Sequence, residues 1–205
     1  MRLPLILASA SPRRRALLAS LGLDLECMAS ERPEIPEPGE DPERFACRVA
    51  NEKALAVAER RQGVWVLAGD TVVELDGEIL GKPASADEAK RMLSSLSGRR
   101  HQVVTAVALV DTHGALRESF AVKSAVTFRV LSTDEISRYV AGGEPMDKAG
   151  AYAIQGGAAD FVREVVGSYS NVVGLPLDEV GELLRRHDLL DAPTAAPDER
   201  VSRHG

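Results

Sequence analysis

Two short apolar runs constrain this 205-residue chain more than any other feature. Residues 3–8 and 64–69 carry no polar side chain. Continuous rather than alternating hydrophobicity marks strands buried on both faces, and such strands need helices packed against a sheet. After the first run, Ser11-Pro12 supplies an N-cap and a proline at the first helical position. Leu17, Leu18 and Leu21 give that helix its apolar face, and Gly22 ends it. The second run ends at Asp70, which this reading puts at the carboxyl end of its strand.

The rest of the chain interleaves further strands and helices. The spacing predicts strands over 23–27, 72–75, 78–80, 103–110, 120–130 and 161–166. Asp76-Gly77 joins the second and third of these as a hairpin. Helices are predicted over 42–61, 85–98, 132–141 and 176–187. Two of them open with the pattern of a reciprocal capping box, Ser85 with Glu88 and Ser132 with Glu135. Residues 31–44 hold four prolines and six acidic residues and read as an exposed loop. Hairpins inside a βα alternation predict an α/β fold on a mixed sheet. At roughly 150 residues per domain, residues 1–190 form one domain, and 191–205 are expected to be a disordered tail.

Composition removes several function classes. With 44% hydrophobic and 27% charged residues the chain has a globular balance. A net charge of −6 disfavours non-specific nucleic-acid binding, and 4% aromatics leaves no base-stacking platform. Cys27 and Cys47 have neither disulfide-framework nor zinc-site spacing. His101, His113, His187 and His204 are scattered, so any metal would take oxygen ligands, as Mg²⁺ or Mn²⁺ does. No apolar run reaches the ~20 residues of a membrane span. The Arg cluster follows the first apolar run, the reverse of a secretory signal. A cytoplasmic chain without membrane attachment is expected.

Five segments could carry chemistry. SASPRRR at 9–15 follows a strand and opens a helix, where free N–H groups favour an anion. Arg13, Arg14 and Arg15 there oppose the helix dipole; either a phosphate neutralises them, or the turn is simply solvated or paired with the acidic 31–44 loop. Asp70 is either a metal ligand or general base, or a turn cap. Lys53 shares an i+4 stripe with Phe45, Val49 and Val57, so it either snorkels outward or meets an anion. GEILGKP at 77–83 is no P-loop, because Gly77 and Gly81 are too close and Pro83 replaces the Ser or Thr. Lys82 there remains a point charge for phosphate. The Gly-rich stretch 142–158 is a flexible loop or a functional one, and Gln155 within it could read a base edge.

Seven motifs in order resemble the Maf (septum-formation) family of nucleoside triphosphate pyrophosphatases. They are LASASPRR at 7–14, NEKA at 51–54, AGDTVV at 68–73, GKP at 81–83, SGRRHQVVTAVAL at 97–109, EPMDKAGAYAIQG at 144–156 and GSYSNVVGLPL at 167–177. The resemblance implies an elongated α/β fold with a central cleft, similar to inosine triphosphate pyrophosphatases. It implies hydrolysis of a nucleoside triphosphate to monophosphate and pyrophosphate with a divalent cation. Asp70 matches the family's proton acceptor. Ser9, Arg13, Arg14, Lys53 and Lys82 match substrate-site residues. Glu34 matches an acidic residue of the loop after the second strand, a metal ligand together with Asp70, although Pro33 stands where the family often has another acid. Arg13, Thr71 and Gln155 resemble the branch acting on dTTP and UTP rather than on 7-methyl-GTP. The resemblance suggests a homodimer, but no apolar stripe marks an interface. The competing reading is a nucleotide-binding regulator of division with little catalysis. It leaves the Asp70, Lys53 and Lys82 set without a purpose, since binding alone needs no water-activating carboxylate.

Overall fold

Seven strands join one mixed sheet in the computed structural model, which describes residues 4–191. Leu3, and the expected tail beyond Asp191, lie outside the described residues. The elements are β1 (Leu5–Leu7), α1 (Pro12–Ser20), β2 (Glu26–Cys27), α2 (Pro42–Arg60), β3 (Trp65–Leu75), β4 (Glu78–Leu80), α3 (Ala86–Leu96), β5 (Arg100–Val110), β6 (Leu116–Phe128), α4 (Thr133–Ala141), β7 (Val162–Val166), α5 (Tyr169–Val173) and α6 (Leu177–Arg186). The strand order is β2-β1-β3-β5-β6-β7, with β4 also on β3. β1 runs parallel to β2 and β3, whereas every other pair is antiparallel. Among the described residues no helix is long and apolar enough to cross a membrane.

β3 differs from its sequence reading. The two expected strands are one, and Asp70 lies in its interior rather than at a carboxyl end. Two adjacent polar residues end an apolar pattern on paper. In the fold β5 pairs continuously along β3, Asp70 facing Ala106 and Thr71 facing Thr105, so the ladder carries both polar residues through. On its other edge β3 meets β1 at residues 65–67 and β4 at residues 73–75. Between those two partners the edge has no strand neighbour, and a cleft opens there.

Successive strand residues face opposite sides of a sheet. Val66, Ala68 and Val72 therefore pack on α2, through Val49, Ala50 and Val57. Leu67 faces the other way, onto α1 and α6, through Leu18, Val180 and Leu183. Val73 and Leu75 share that second side but meet α3 and its neighbours, through Leu93 and Leu96. Each such fully buried Val or Leu contributes about 1.5–3 kcal/mol. The same alternation sends Asp70 to the α2 side and Thr71 to the α1 side.

Local signals set the helix ends. Asp41 caps α2 by accepting from Glu43 N at 3.0 Å and Arg44 N at 3.1 Å, with Pro42 in the first turn. Ser132 and Glu135 form the expected reciprocal box at α4. The α3 box is not reciprocal. Ser85 Oγ accepts from Glu88 N, but Glu88 Oε2 accepts from Ala84 N, one residue before the cap. Ser85 is more extended (φ −152°) than Ser132 (φ −79°), which brings the preceding amide within reach instead. The Gly-rich stretch folds into short 3-10 turns at Glu144–Asp147, Ala149–Ala151 and Ala159–Phe161. Gly150 has φ +65°, and a Cβ there would sit 2.8 Å from Val73 Cγ2, so only glycine lets this segment rest on β3.

Candidate active site

The gap in the β3 edge is the mouth of a cleft of about 920 Å³. Ser9, Arg13, Arg14, Glu34, Lys53, Asp70, Thr71, Lys82 and Gln155 all line it. Residues separated by as many as 146 positions in sequence thus share one cavity, because β3 spans its floor while α1, α2, the 31–44 loop and the Gly-rich segment close around it.

Lys53 is the centre of charge. It sits in the inward stripe of α2 and is 6% exposed. Its Nζ donates to Asp70 Oδ1 and to Glu34 Oε1, each at 2.6 Å. Of the two outcomes open to a lysine in that stripe, this one has met anions. Lys82 Nζ donates to the other Glu34 oxygen at 2.7 Å. Glu34 is thus held by two ammonium groups. Its partial burial opposes ionisation, but Lys53 and then Lys82 outweigh this and hold its carboxyl down at about 2. The rest of the acidic loop is fastened to α2 by Arg48, which pairs with Glu40 at 2.6 Å and donates to Ile35 O at 3.1 Å.

Among the described residues the basic turn of α1 makes no ion pair with that loop. Arg14 turns inward on the other side of the sheet. Its Nε donates to Gly174 O at 2.8 Å, Nη2 to Thr71 Oγ1 at 2.9 Å and Nη1 to Ser9 Oγ at 3.4 Å. Gly69 makes this possible, since a Cβ there would lie 3.3 Å from Arg14 Nε. Burial, above all, pulls the guanidinium below its ordinary value, and the Asp70 and Glu34 carboxylates oppose that shift. Ser9 Oγ also accepts from Ser11 N at 3.1 Å, fixing the entry to α1. Arg13 lines the cleft with no hydrogen bond or ion pair among the described residues, so its charge faces the cavity.

Thr71 is part of a buried polar relay. Its Oγ1 lies 3.0 Å from Thr105 Oγ1, which donates to Asn171 O at 2.9 Å. Asn171 Nδ2 donates to Val103 O and to Ser124 Oγ. Sequence reasoning missed Thr105 and Asn171 as supports of Arg14 and Thr71. Both are fully buried and lie within quoted motifs, but nothing in one sequence says that β5 and α5 meet behind β3. His101, read as one of four scattered histidines, is buried and lies 2.7 Å from the hydroxyl of Tyr152, a wall of the cleft.

A divalent cation can be tested against this donor set. Glu34 Oε1 and Asp70 Oδ1 both accept from Lys53 Nζ, so the two carboxylates stand together on the cleft floor; hard oxygen donors of this kind suit Mg²⁺ when substrate phosphates complete its shell. Among the described residues no cluster of three or more His, Cys, Asp or Glu side chains could hold an ion unaided. The residues fit a metal that arrives with a phosphate-bearing substrate.

The sequence is matched by close relatives. The dTTP/UTP pyrophosphatase of Geobacter metallireducens is 53% identical over 184 residues, covering 88% of this chain and 94% of that protein. That of Myxococcus xanthus is 54% identical over 185 residues, covering 90% and 93%. That of Anaeromyxobacter dehalogenans is 55% identical over 184 residues, covering 89% and 93%. A solved dITP/XTP pyrophosphatase from Mycobacterium abscessus overlays 62% of this chain and 74% of its own at TM-score 0.43 and 21% identity. A family model described as Maf-like protein matches residues 4–187. With that match and relatives above 50% identity over nearly their whole length, the chain belongs to the Maf-like protein family.

Proposed function

We propose that the cleft hydrolyses dTTP and UTP to the nucleoside monophosphate and pyrophosphate. The observation that carries this reading is the buried Lys53 bonded at once to Asp70 and Glu34 on the cleft floor. A binding protein gains nothing from two carboxylates held where a polyanion would enter. A hydrolase uses them. The base preference is taken from the names of the relatives and from Arg13, Thr71 and Gln155.

In this mechanism Asp70 orients a water for in-line attack on the α-phosphorus and accepts its proton. The bond from the α-phosphorus to the bridging oxygen breaks, and pyrophosphate leaves with the electron pair. Lys53 fixes the Asp70 carboxylate from the opposite side. Arg13 and Lys82 offer cationic groups to the triphosphate, and Lys82 exchanges Glu34 for phosphate oxygens as substrate enters. Arg14, anchored to Gly174, Ser9 and Thr71, adds a fixed positive charge beside the α1 N-terminus. Asp70 and Glu34 would hold a divalent cation, which would neutralise charge on the phosphate oxygens. Gln155 reads the pyrimidine edge by paired donor and acceptor.

The test is pyrophosphate release from a panel of canonical and modified nucleoside triphosphates, with Mg²⁺, with Mn²⁺ and with chelator. Fast, chelator-sensitive release from dTTP and UTP is expected. Preference for 7-methyl-GTP would keep the reaction class and overturn the role given to Arg13, Thr71 and Gln155. Absence of turnover in a folded protein that binds nucleotide tightly would overturn catalysis.

A further inference from the structure

The Gly-rich segment ends in a tight turn, residues 154–158, with Gln155 exposed on the cleft wall. Two side chains outside the cleft hold this turn at both ends. Ala153 N–H donates to Tyr139 Oη at 3.3 Å. The Tyr139 hydroxyl donates in turn to Glu144 Oε1 at 3.3 Å. Glu144 Oε2 accepts from Gly157 N–H at 3.0 Å. A phenol and a carboxylate thus close a bracket around Ile154, Gln155 and Gly156.

The bracket depends on close approach. A Cβ on Gly156, whose φ is +128°, would lie 2.5 Å from Glu144 Oε1, and one on Gly157 would lie 3.1 Å from the Tyr139 ring. The Gly-Gly pair lets the turn lie against the two side chains. The Tyr139 ring is itself fixed edge-on to Phe161, with centroids 5.2 Å apart. Burial, first of all, pushes the Tyr139 phenol up from a value at which it is already protonated at neutral pH. Gln155 makes no hydrogen bond of its own among the described residues. Its position is set by the turn, and the turn is set by Tyr139 and Glu144.

We propose that Tyr139 and Glu144 are positioning residues for nucleobase discrimination, clamping the turn that presents Gln155. The inference rests on the base-reading role given to Gln155 above. A reading group that wanders cannot reject a wrong base edge, since rejection comes from leaving a fixed polar group unpaired.

The experiment compares kcat/KM for dTTP and UTP with that for CTP and GTP in the wild type and in Gln155→Ala, Tyr139→Phe, Glu144→Ala and Glu144→Gln. Tyr139→Phe and Glu144→Ala should each lower the discrimination ratio about five- to tenfold, as loss of one or two hydrogen bonds does. The change should appear in KM for dTTP, with kcat within about twofold of the wild type. Glu144→Gln keeps an acceptor for Gly157 N–H and should retain most of the discrimination, which a purely electrostatic role for Glu144 would not allow. Should Glu144→Ala fail to fold, Tyr139→Phe, which keeps the ring against Phe161, carries the test. Wild-type ratios in Tyr139→Phe and Glu144→Ala, with Gln155→Ala collapsed, overturn the clamp alone. Discrimination retained in Gln155→Ala overturns the clamp together with the base-reading role. A wild type inactive on dTTP and UTP overturns the proposed function and the inference with it.

Discussion

Replacing Lys53 by methionine keeps an unbranched side chain, one atom shorter, and removes one buried charge. The Lys53 side chain is 8% exposed and that of Asp70 is 4% exposed, and they meet at 2.6 Å. Glu34 still has Lys82 after the change, but Asp70 loses its one ion-pair partner among the described residues. Removing one member of a buried pair costs about 3–5 kcal/mol, because the other charge stays desolvated and uncompensated. Asp70 lines an open cleft rather than a sealed core, so the lower end, ~3 kcal/mol, applies. For a chain of this size that lowers Tm by about 6–12 °C. Urea melts at pH 7 give the free energy directly, provided the m-value is unchanged. The double variant Lys53→Met with Asp70→Asn removes both charges and should recover about 1–3 kcal/mol relative to the sum of the singles. A Lys53→Met protein within about 1 kcal/mol of the wild type, or strict additivity in the double variant, would refute the claim that this ammonium is the counter-ion of Asp70.

Two further outcomes follow from the geometry. Burial holds the His101 imidazole down at about 4. An unfolded histidine takes its proton near 6.5, so between those values the unfolded state binds more protons and stability falls as pH falls. The loss should reach roughly 3 kcal/mol between about pH 6.5 and 4, and His101→Gln should remove that slope in urea melts across the same range. Lys82 is 52% exposed and its bond to Glu34 is a surface pair, so Lys82→Ala should leave the melting temperature within a few degrees of the wild type. Its KM for dTTP should rise about tenfold as a phosphate contact is lost, and unchanged kinetics would remove Lys82 from the substrate site.

Much of this fold is legible in one sequence wherever the signal is local. Pro42 and the Phe45, Val49, Lys53, Val57 stripe place α2 to within a residue of its observed end. Asp76 and Gly77, at φ +55° and +85°, make the hairpin that their pairing predicts. Ser132 and Glu135 close their box. What the sequence hides depends on distant partners. β3 passes through Asp70 and Thr71 because Lys53 and Arg14, 17 and 57 positions away, satisfy them from opposite sides of the sheet. Of the expected strand over 23–27 only Glu26–Cys27 pairs, since β1 beside it offers just three residues. The short helix α5 has no apolar period to announce it. It is set by Ser168 accepting from Asn171 N and by Asn171 buried against β5. The cleft residues were legible as types, through motif order. Their division into an Asp70–Lys53–Glu34–Lys82 side and an Arg14–Thr71–Thr105 side was not, because it follows from strand alternation across a strand the pattern had split in two.

The role of Asp70 is tested by single-turnover pyrophosphate release from dTTP by the wild type and by Asp70→Asn, at saturating Mg²⁺, with folding checked by circular dichroism. Both proteins should bind nucleotide, and the rate in the variant should be lower by about a hundredfold or more, the scale of a lost general base. Release by Asp70→Asn within a few-fold of the wild type would contradict the assignment of Asp70 as the group that positions and deprotonates water.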